Sequence, residues 1–162
     1  MSIEVPLRYF SDYFFENIST NALNQIQITS ACNAKCIFCS NEQNPFEIKR
    51  CKFRSVEEIE KIVWSLPPIN GPIYLNESLP GRLSEGEAFI HPEFFQILSI
   101  IRSKFNNVIK ITTNGSTLTA ALINNLLNYR PFEITISFPS TNIHHWIETF
   151  NLKDEHYHIA RN

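Results

Sequence analysis

The chain has 162 residues, 43% of them apolar and 19% charged, with a formal net charge of −2. That length suits one domain with a substantial core, and the apolar share excludes a disordered chain. The near-neutral balance gives no general electrostatic reason to bind nucleic acid, and no apolar run approaches the ~20 residues that span a bilayer.

The opening stretch, MSIEVPLRYFSDYFFENIS, lacks the basic start and continuous apolar core of a signal peptide. A cytoplasmic location is the expectation, and there clustered cysteines serve metals or catalysis more often than disulfides. Residues 1–23 match nothing usable and read as an N-terminal extension; 24–162 read as a single βα core.

In that core the hydrophobic period switches repeatedly between two and 3.6. Gln25–Ser30 (QIQITS) alternates and predicts a strand, followed by a loop with Cys32, Cys36 and Cys39. Ser55-Val56-Glu57-Glu58 has the form of a capping box and starts a helix with Val56, Ile59, Ile62, Val63 and Leu66 on one face. Pro67-Pro68 ends it. Pro72–Asn76 predicts a second strand, and a loop then runs to Ile90. Pro92 suits the first position of a helix carrying Phe94, Phe95, Ile97, Leu98, Ile101 and Phe105.

Val108–Thr112 predicts a third strand, ending in Thr113-Asn114-Gly115. Thr117–Tyr129 predicts a helix with Leu118, Ala121, Leu122, Leu126 and Leu127 inside. Glu133–Phe138 (EITISF) is the fourth strand, and a helical segment follows it. This β-α order implies parallel pairing with right-handed crossovers, in a doubly wound sheet or a βα barrel. Either fold gathers the loops after the strands on one rim, where ligands bind.

Cys32, Cys36 and Cys39 stand at C-x3-C-x2-C spacing. Thiolates suit zinc or an iron–sulfur cluster. Zinc would recruit Cys51 or a histidine as fourth ligand and make a closed structural site. A [4Fe–4S] cluster would keep one iron open to a small ligand. His144, His145, His156 and His158 read as solvated helix residues.

With Phe38 as the aromatic before the last cysteine, C-x3-C-x-Φ-C resembles the signature of the radical S-adenosylmethionine (radical SAM) superfamily. Ser84–Pro92 resembles its second motif, with Gly86 and Glu87 at the glycine and acid positions and His91-Pro92 following. Two positions depart from it: Ser84 or Glu85 stands where a glycine is usual, and Ala88 where a proline is. Asn114, in Thr113-Asn114-Gly115, and Ser137, near the end of the fourth strand, match further family positions.

The resemblance implies a [4Fe–4S] cluster on Cys32, Cys36 and Cys39, with S-adenosylmethionine chelating the open iron. It implies cosubstrate binding by Phe38, Gly86, Glu87, Asn114 and Ser137, with Glu87 orienting the methionyl ammonium. An electron from a donor such as a flavodoxin or ferredoxin would release a 5′-deoxyadenosyl radical that abstracts hydrogen from a substrate, which the sequence does not name. It also implies a partial TIM-type barrel: the family fold has six βα units, this sequence supplies about four, and it reads as truncated on its C-terminal side. An open fourth strand would invite self-association. Two alternatives stand beside this reading, a zinc-stabilised interaction domain using Cys51 and an inactive remnant of a radical SAM enzyme. The cluster reading further expects the three sulfurs to face a common centre and the loop to depend on metal for its order.

Overall fold

The computed structural model describes residues 24–39, 53–76 and 86–162. Cys51, Ser84 and Glu85 lie outside the described residues. Strands β1 (Gln25–Ile26), β2 (Ile73–Leu75), β3 (Ile109–Thr113) and β4 (Phe132–Ile136) form one open sheet in the order β1-β2-β3-β4, parallel throughout. Between and after them come helices α1 (Val56–Ser65), α2 (Phe94–Lys104), α3 (Ala120–Leu126), α4 (Ile143–Phe150) and α5 (Asp154–Arg161). This is an α/β arrangement consistent with a partial TIM-type barrel.

Alternation along the strands decides which face is covered. Ile26, Ile73, Leu75, Ile109 and Ile111 are buried in one cluster with Ile59 and Val63 of α1 and Ile97, Leu98 and Ile101 of α2. The intervening positions carry Gln25, Tyr74, Lys110 and Thr112, all half-buried. On that second face Lys110 pairs with Glu133, its register neighbour, at 2.8 Å.

The capping box forms as the sequence predicts. Glu58 N–H donates to Ser55 Oγ (3.2 Å) and Ser55 N–H to a Glu58 carboxylate oxygen (2.9 Å). At the other end of α1, Lys104 Nζ donates to the carbonyls of Val63, Trp64 and Leu66, satisfying acceptors a helix leaves open. Arg102 does the same service beside β3 and β4, donating to the carbonyls of Asn107, Tyr129 and Pro131.

Four expectations are corrected. The first strand pairs only over Gln25–Ile26, because the N–H groups of Ile28 and Thr29 donate to Asn76 Oδ1 (3.1 and 3.0 Å) instead of to a strand. Helix α2 starts at Phe94, not Pro92: Glu93 N–H donates to His91 Nδ1 (3.1 Å), which holds a turn over the intervening residues. Helix α3 starts only after Thr119, whose hydroxyl accepts from Leu122 N–H, and Ala121 and Leu127 are exposed. β4 ends at Ile136, leaving Phe138 to a second, smaller core.

That second core joins Trp146 and Phe150 of α4, Leu152 of the link that follows, Tyr157 of α5, and Ala34 of the cysteine loop. Trp146 packs edge-on against Phe150 with ring centroids 4.9 Å apart. It lies on the carboxyl-end rim of the sheet and clamps the cysteine loop from outside. Among the described residues no helix is long and apolar enough to cross a membrane.

Candidate functional site

The loops after β1, β2 and β3 meet on one rim, as a parallel βα order requires. Asn76, just past β2 and at φ +54°, ties down the end of the first of them by taking the Ile28 and Thr29 amides. Behind it, Thr29 bridges to Phe53, and Arg54 N–H donates to Ile28 O (2.9 Å). His91 is buried and supports that layer: its Nε2 lies 3.0 Å from Arg54 O, and its ring meets Phe53 edge-on. Because Nδ1 accepts from Glu93 N–H, the ring nitrogen facing Arg54 O is the one that carries the proton.

The cysteine loop itself is held at both ends. Ala31 N–H donates to Thr29 Oγ1 (2.9 Å). Farther on, Lys35 N–H donates to Phe150 O (2.9 Å) and Ile37 N–H to Thr149 O (3.1 Å), both at the end of α4. Cys39 N–H donates to Cys36 O, closing a turn. Cys32 is exposed, and Cys36 and Cys39 are half-buried thiols. Phe38 is 60% exposed, with its edge toward Phe150 at 6.2 Å.

Gly86 reaches this loop backbone to backbone. A Cβ placed on it would lie 2.3 Å from Ala31 O and 2.8 Å from Ser30 C, and its φ is +69°. The next amide, Glu87 N–H, donates to Ala31 O (2.8 Å). Only glycine permits both the close approach and the left-handed backbone at no steric cost.

Glu87 is 2% exposed, and its carboxylate is engaged inside the protein. It accepts from Thr113 Oγ1 (2.9 Å), Asn114 N–H (3.0 Å) and Phe89 N–H (3.3 Å). Burial pushes its pKa up, while those hydrogen bonds from Asn114, Thr113 and Phe89 work in the opposite direction. Asn114 is equally committed: Oδ1 accepts from Ser116 N–H (2.9 Å) and Nδ2 donates to Asn33 Oδ1 (3.0 Å). Ser137 continues the ladder past β4 through its backbone, donating N–H to Thr113 O (2.7 Å).

Gly86, Glu87 and Asn114 are therefore gathered against the cysteine loop, and Phe38 stands out from it. Asn33, Asn76 and Ser116 are the rim residues that sequence reasoning missed; isolated asparagines and serines in loops carry no periodic signal. His144, His145 and His158 are exposed, whereas His156 is half-buried.

The donor set suits a soft metal, with three thiols on one short loop. Ala34 N–H also donates to Cys32 Sγ (3.4 Å). The expected convergence of the three sulfurs is not found: among the described residues no three His, Cys, Asp or Glu side chains are gathered to hold an ion. Cys36 packs against the Trp146 core while Cys32 faces solvent, which keeps the sulfurs apart. The loop backbone is held by protein contacts at Ala31, Lys35 and Ile37.

A parallel βα sheet with a three-cysteine loop on its carboxyl-end rim defines a class of metal-cofactor proteins. The profile described as the Radical SAM superfamily matches residues 26–153, and the chain belongs to that superfamily. Members of that superfamily generally use a [4Fe–4S] cluster together with S-adenosylmethionine. The chain is 29% identical over 117 residues to the antilisterial bacteriocin subtilosin biosynthesis protein AlbA of Bacillus subtilis (strain 168). That alignment covers 72% of this chain and 24% of AlbA. No solved structure matches at the same stringency.

Proposed function

We propose that this chain holds a [4Fe–4S] cluster on Cys32, Cys36 and Cys39 and binds S-adenosylmethionine beside it. The observation that carries the reading is the C-x3-C-x2-C loop lying on the carboxyl-end rim, with the Gly86 backbone packed directly against it. When bound, the cluster supplies the electron that cleaves the sulfonium and yields a 5′-deoxyadenosyl radical.

The chain's own residues hold and shape the site. The Ala34 amide donates to the Cys32 sulfur and so holds the turn after it. Gly86, without a side chain, leaves backbone polar groups near the loop for the methionyl end of the cosubstrate. Phe38 offers an exposed apolar ring on the same loop, suited to a flat base, and also shields the site from water on that side. Ser137 adds a polar group at the end of β4. Glu87, with its carboxylate already satisfied, serves this site by holding Thr113 and Asn114 rather than by contacting the ammonium.

A reductant such as a flavodoxin or ferredoxin would deliver the electron. The similarity to AlbA, a bacteriocin biosynthesis protein, makes a bacteriocin precursor the first substrate to try. The edge of β4 that no described strand pairs is the surface through which self-association would proceed.

Anaerobic reconstitution with iron and sulfide tests the cluster. The expected product is brown, with broad absorbance and about four irons per chain, lost in Cys32→Ala, Cys36→Ala or Cys39→Ala and kept in Cys51→Ala. A colourless chain holding one zinc, lost in Cys51→Ala, would establish the zinc-stabilised domain instead. A 5′-deoxyadenosine assay on the reconstituted chain separates an active enzyme from a remnant that keeps only the cluster.

A further inference from the structure

Asn33 stands between the first two cysteines and is an exposed residue. Its side chain is nonetheless engaged with residues more than eighty positions away. Oδ1 accepts from Asn114 Nδ2 (3.0 Å), and Nδ2 donates to Ser116 Oγ (2.8 Å).

These contacts complete a ring. From Asn33 the path runs to Asn114, whose backbone N–H donates to the Glu87 carboxylate. It returns from Glu87 N–H to Ala31 O, two residues before Asn33. Every bond is 3.0 Å or shorter, and each residue in the path except Asn33 is buried. Thr113 stiffens the ring by donating to Glu87 and accepting from Gly115 N–H. A buried polar network that is fully satisfied fixes one arrangement, since any member that leaves it strands a desolvated partner.

We propose that Asn33 is a positioning residue: it closes this ring and fixes the first half of the cysteine loop in the metal-free chain, so that the loop is shaped before iron arrives. The alternative for such a loop is to be ordered only by its metal. The second half has its own tether, through Lys35 and Ile37 to the end of α4. Asn33 therefore controls the stretch from Ala31 to Ala34, around Cys32. The significance for catalysis rests on the cluster reading above, but the ordering of the loop does not.

The test is amide hydrogen exchange on the metal-free full chain, with urea midpoints measured in parallel. Asn33→Leu keeps the side-chain branching and heavy-atom count and removes both side-chain bonds. Exchange in residues 31–34 should rise about tenfold through the loss of the two side-chain bonds, while α1 and α2 stay unchanged. Asn33→Asp should restore protection, because Asn114 Nδ2 can donate to one carboxylate oxygen and the Ser116 hydroxyl can turn to donate to the other. Ser116→Ala approaches the ring from the far side and should loosen the same residues by a smaller factor.

Unchanged loop exchange in Asn33→Leu would overturn the proposal. So would an increase shared equally by α1 and α2, which would mark a general stability effect. Equal loosening in the Leu and Asp variants would also overturn it, because the two hydrogen bonds would then not be the cause. Reconstitution of the unmodified chain reports separately on the cluster, so failure of one reading is not mistaken for failure of the other.

Discussion

Replacing Gly86 with alanine should break the junction between the cysteine loop and the loop that follows β2. Two costs arise at once. At φ +69° an L-residue is strained by about 1–2 kcal/mol. The added Cβ would also sit 2.3 Å from Ala31 O and 2.8 Å from Ser30 C, against backbone that cannot rotate away. Ordinary contact begins at 3.4 Å, so the two segments must separate by roughly 1 Å. That stretches the Glu87 N–H to Ala31 O bond from 2.8 Å beyond hydrogen-bonding range, a further loss of about 0.5–1.5 kcal/mol. The expected total is about 2–3 kcal/mol.

Gly71 supplies the control. It also has positive φ, +100°, but the nearest atom to its added Cβ is Asn24 Nδ2 at 3.8 Å. Gly71→Ala therefore carries the backbone strain without the collision. Urea unfolding of both variants, followed by circular dichroism and compared at equal m-values, isolates the packing component. Gly86→Ala should be the more destabilised by about 1 kcal/mol, and its hydrogen exchange should rise in residues 31–35. If Gly86→Ala costs no more than Gly71→Ala, the backbone contact contributes nothing and the junction has been misjudged.

Two further outcomes are expected. In the native chain the buried Glu87 carboxyl keeps its proton to higher pH than in the unfolded chain, so its contribution to stability falls as pH rises from about 4 through the raised pKa. Glu87→Gln does not titrate, so the stability of the natural chain minus that of the variant should decline over this window. Urea midpoints at several pH values measure this, and a difference that grows with pH would show that the folded state favours the ionised form. Phe150→Ala should cost about 3–4 kcal/mol in the second core, where Phe150 is buried against Trp146. Exchange should then rise in the cysteine loop and in α4 and α5 but not in α1 and α2; equal loosening of α1 and α2 would mean the two cores are one cooperative unit.

The order of strands and helices was legible because burial imposes a period. Ile59 and Val63 share a helical face, Ile109 and Ile111 share a strand face, and both patterns survive from sequence into the core. The start of α1 was legible for a different reason, since a capping box needs only residues three apart. The position of the cysteine loop followed from topology, because loops after parallel strands share a rim.

What could not be read depends on pairs with no local signature. The alternation of Gln25–Ser30 continues past the end of β1, since Ile28 remains fully buried. Its pairing stops because one side chain, that of Asn76, takes two consecutive amides. Nothing in the first strand announces an asparagine almost fifty residues away. Pro92 failed as a helix start for a similar reason: His91 Nδ1 engages Glu93 N–H and fixes a turn before the helix can begin.

The same limit explains why the chemistry of the rim was only half visible. An acid beside a glycine in a polar loop reads as a group directed at a ligand. Yet Glu87 has three protein donors and almost no surface, and its carboxyl ties down the loop after β3. Asn114 follows the same logic with its side chain. Sequence motifs mark which residues belong to a site, but they do not separate groups that touch a cofactor from groups that hold those that do. On this rim hydrogen-bond supply supports the separation we propose: Phe38 keeps an exposed face toward solvent, whereas Glu87 and Asn114 find their partners within the protein.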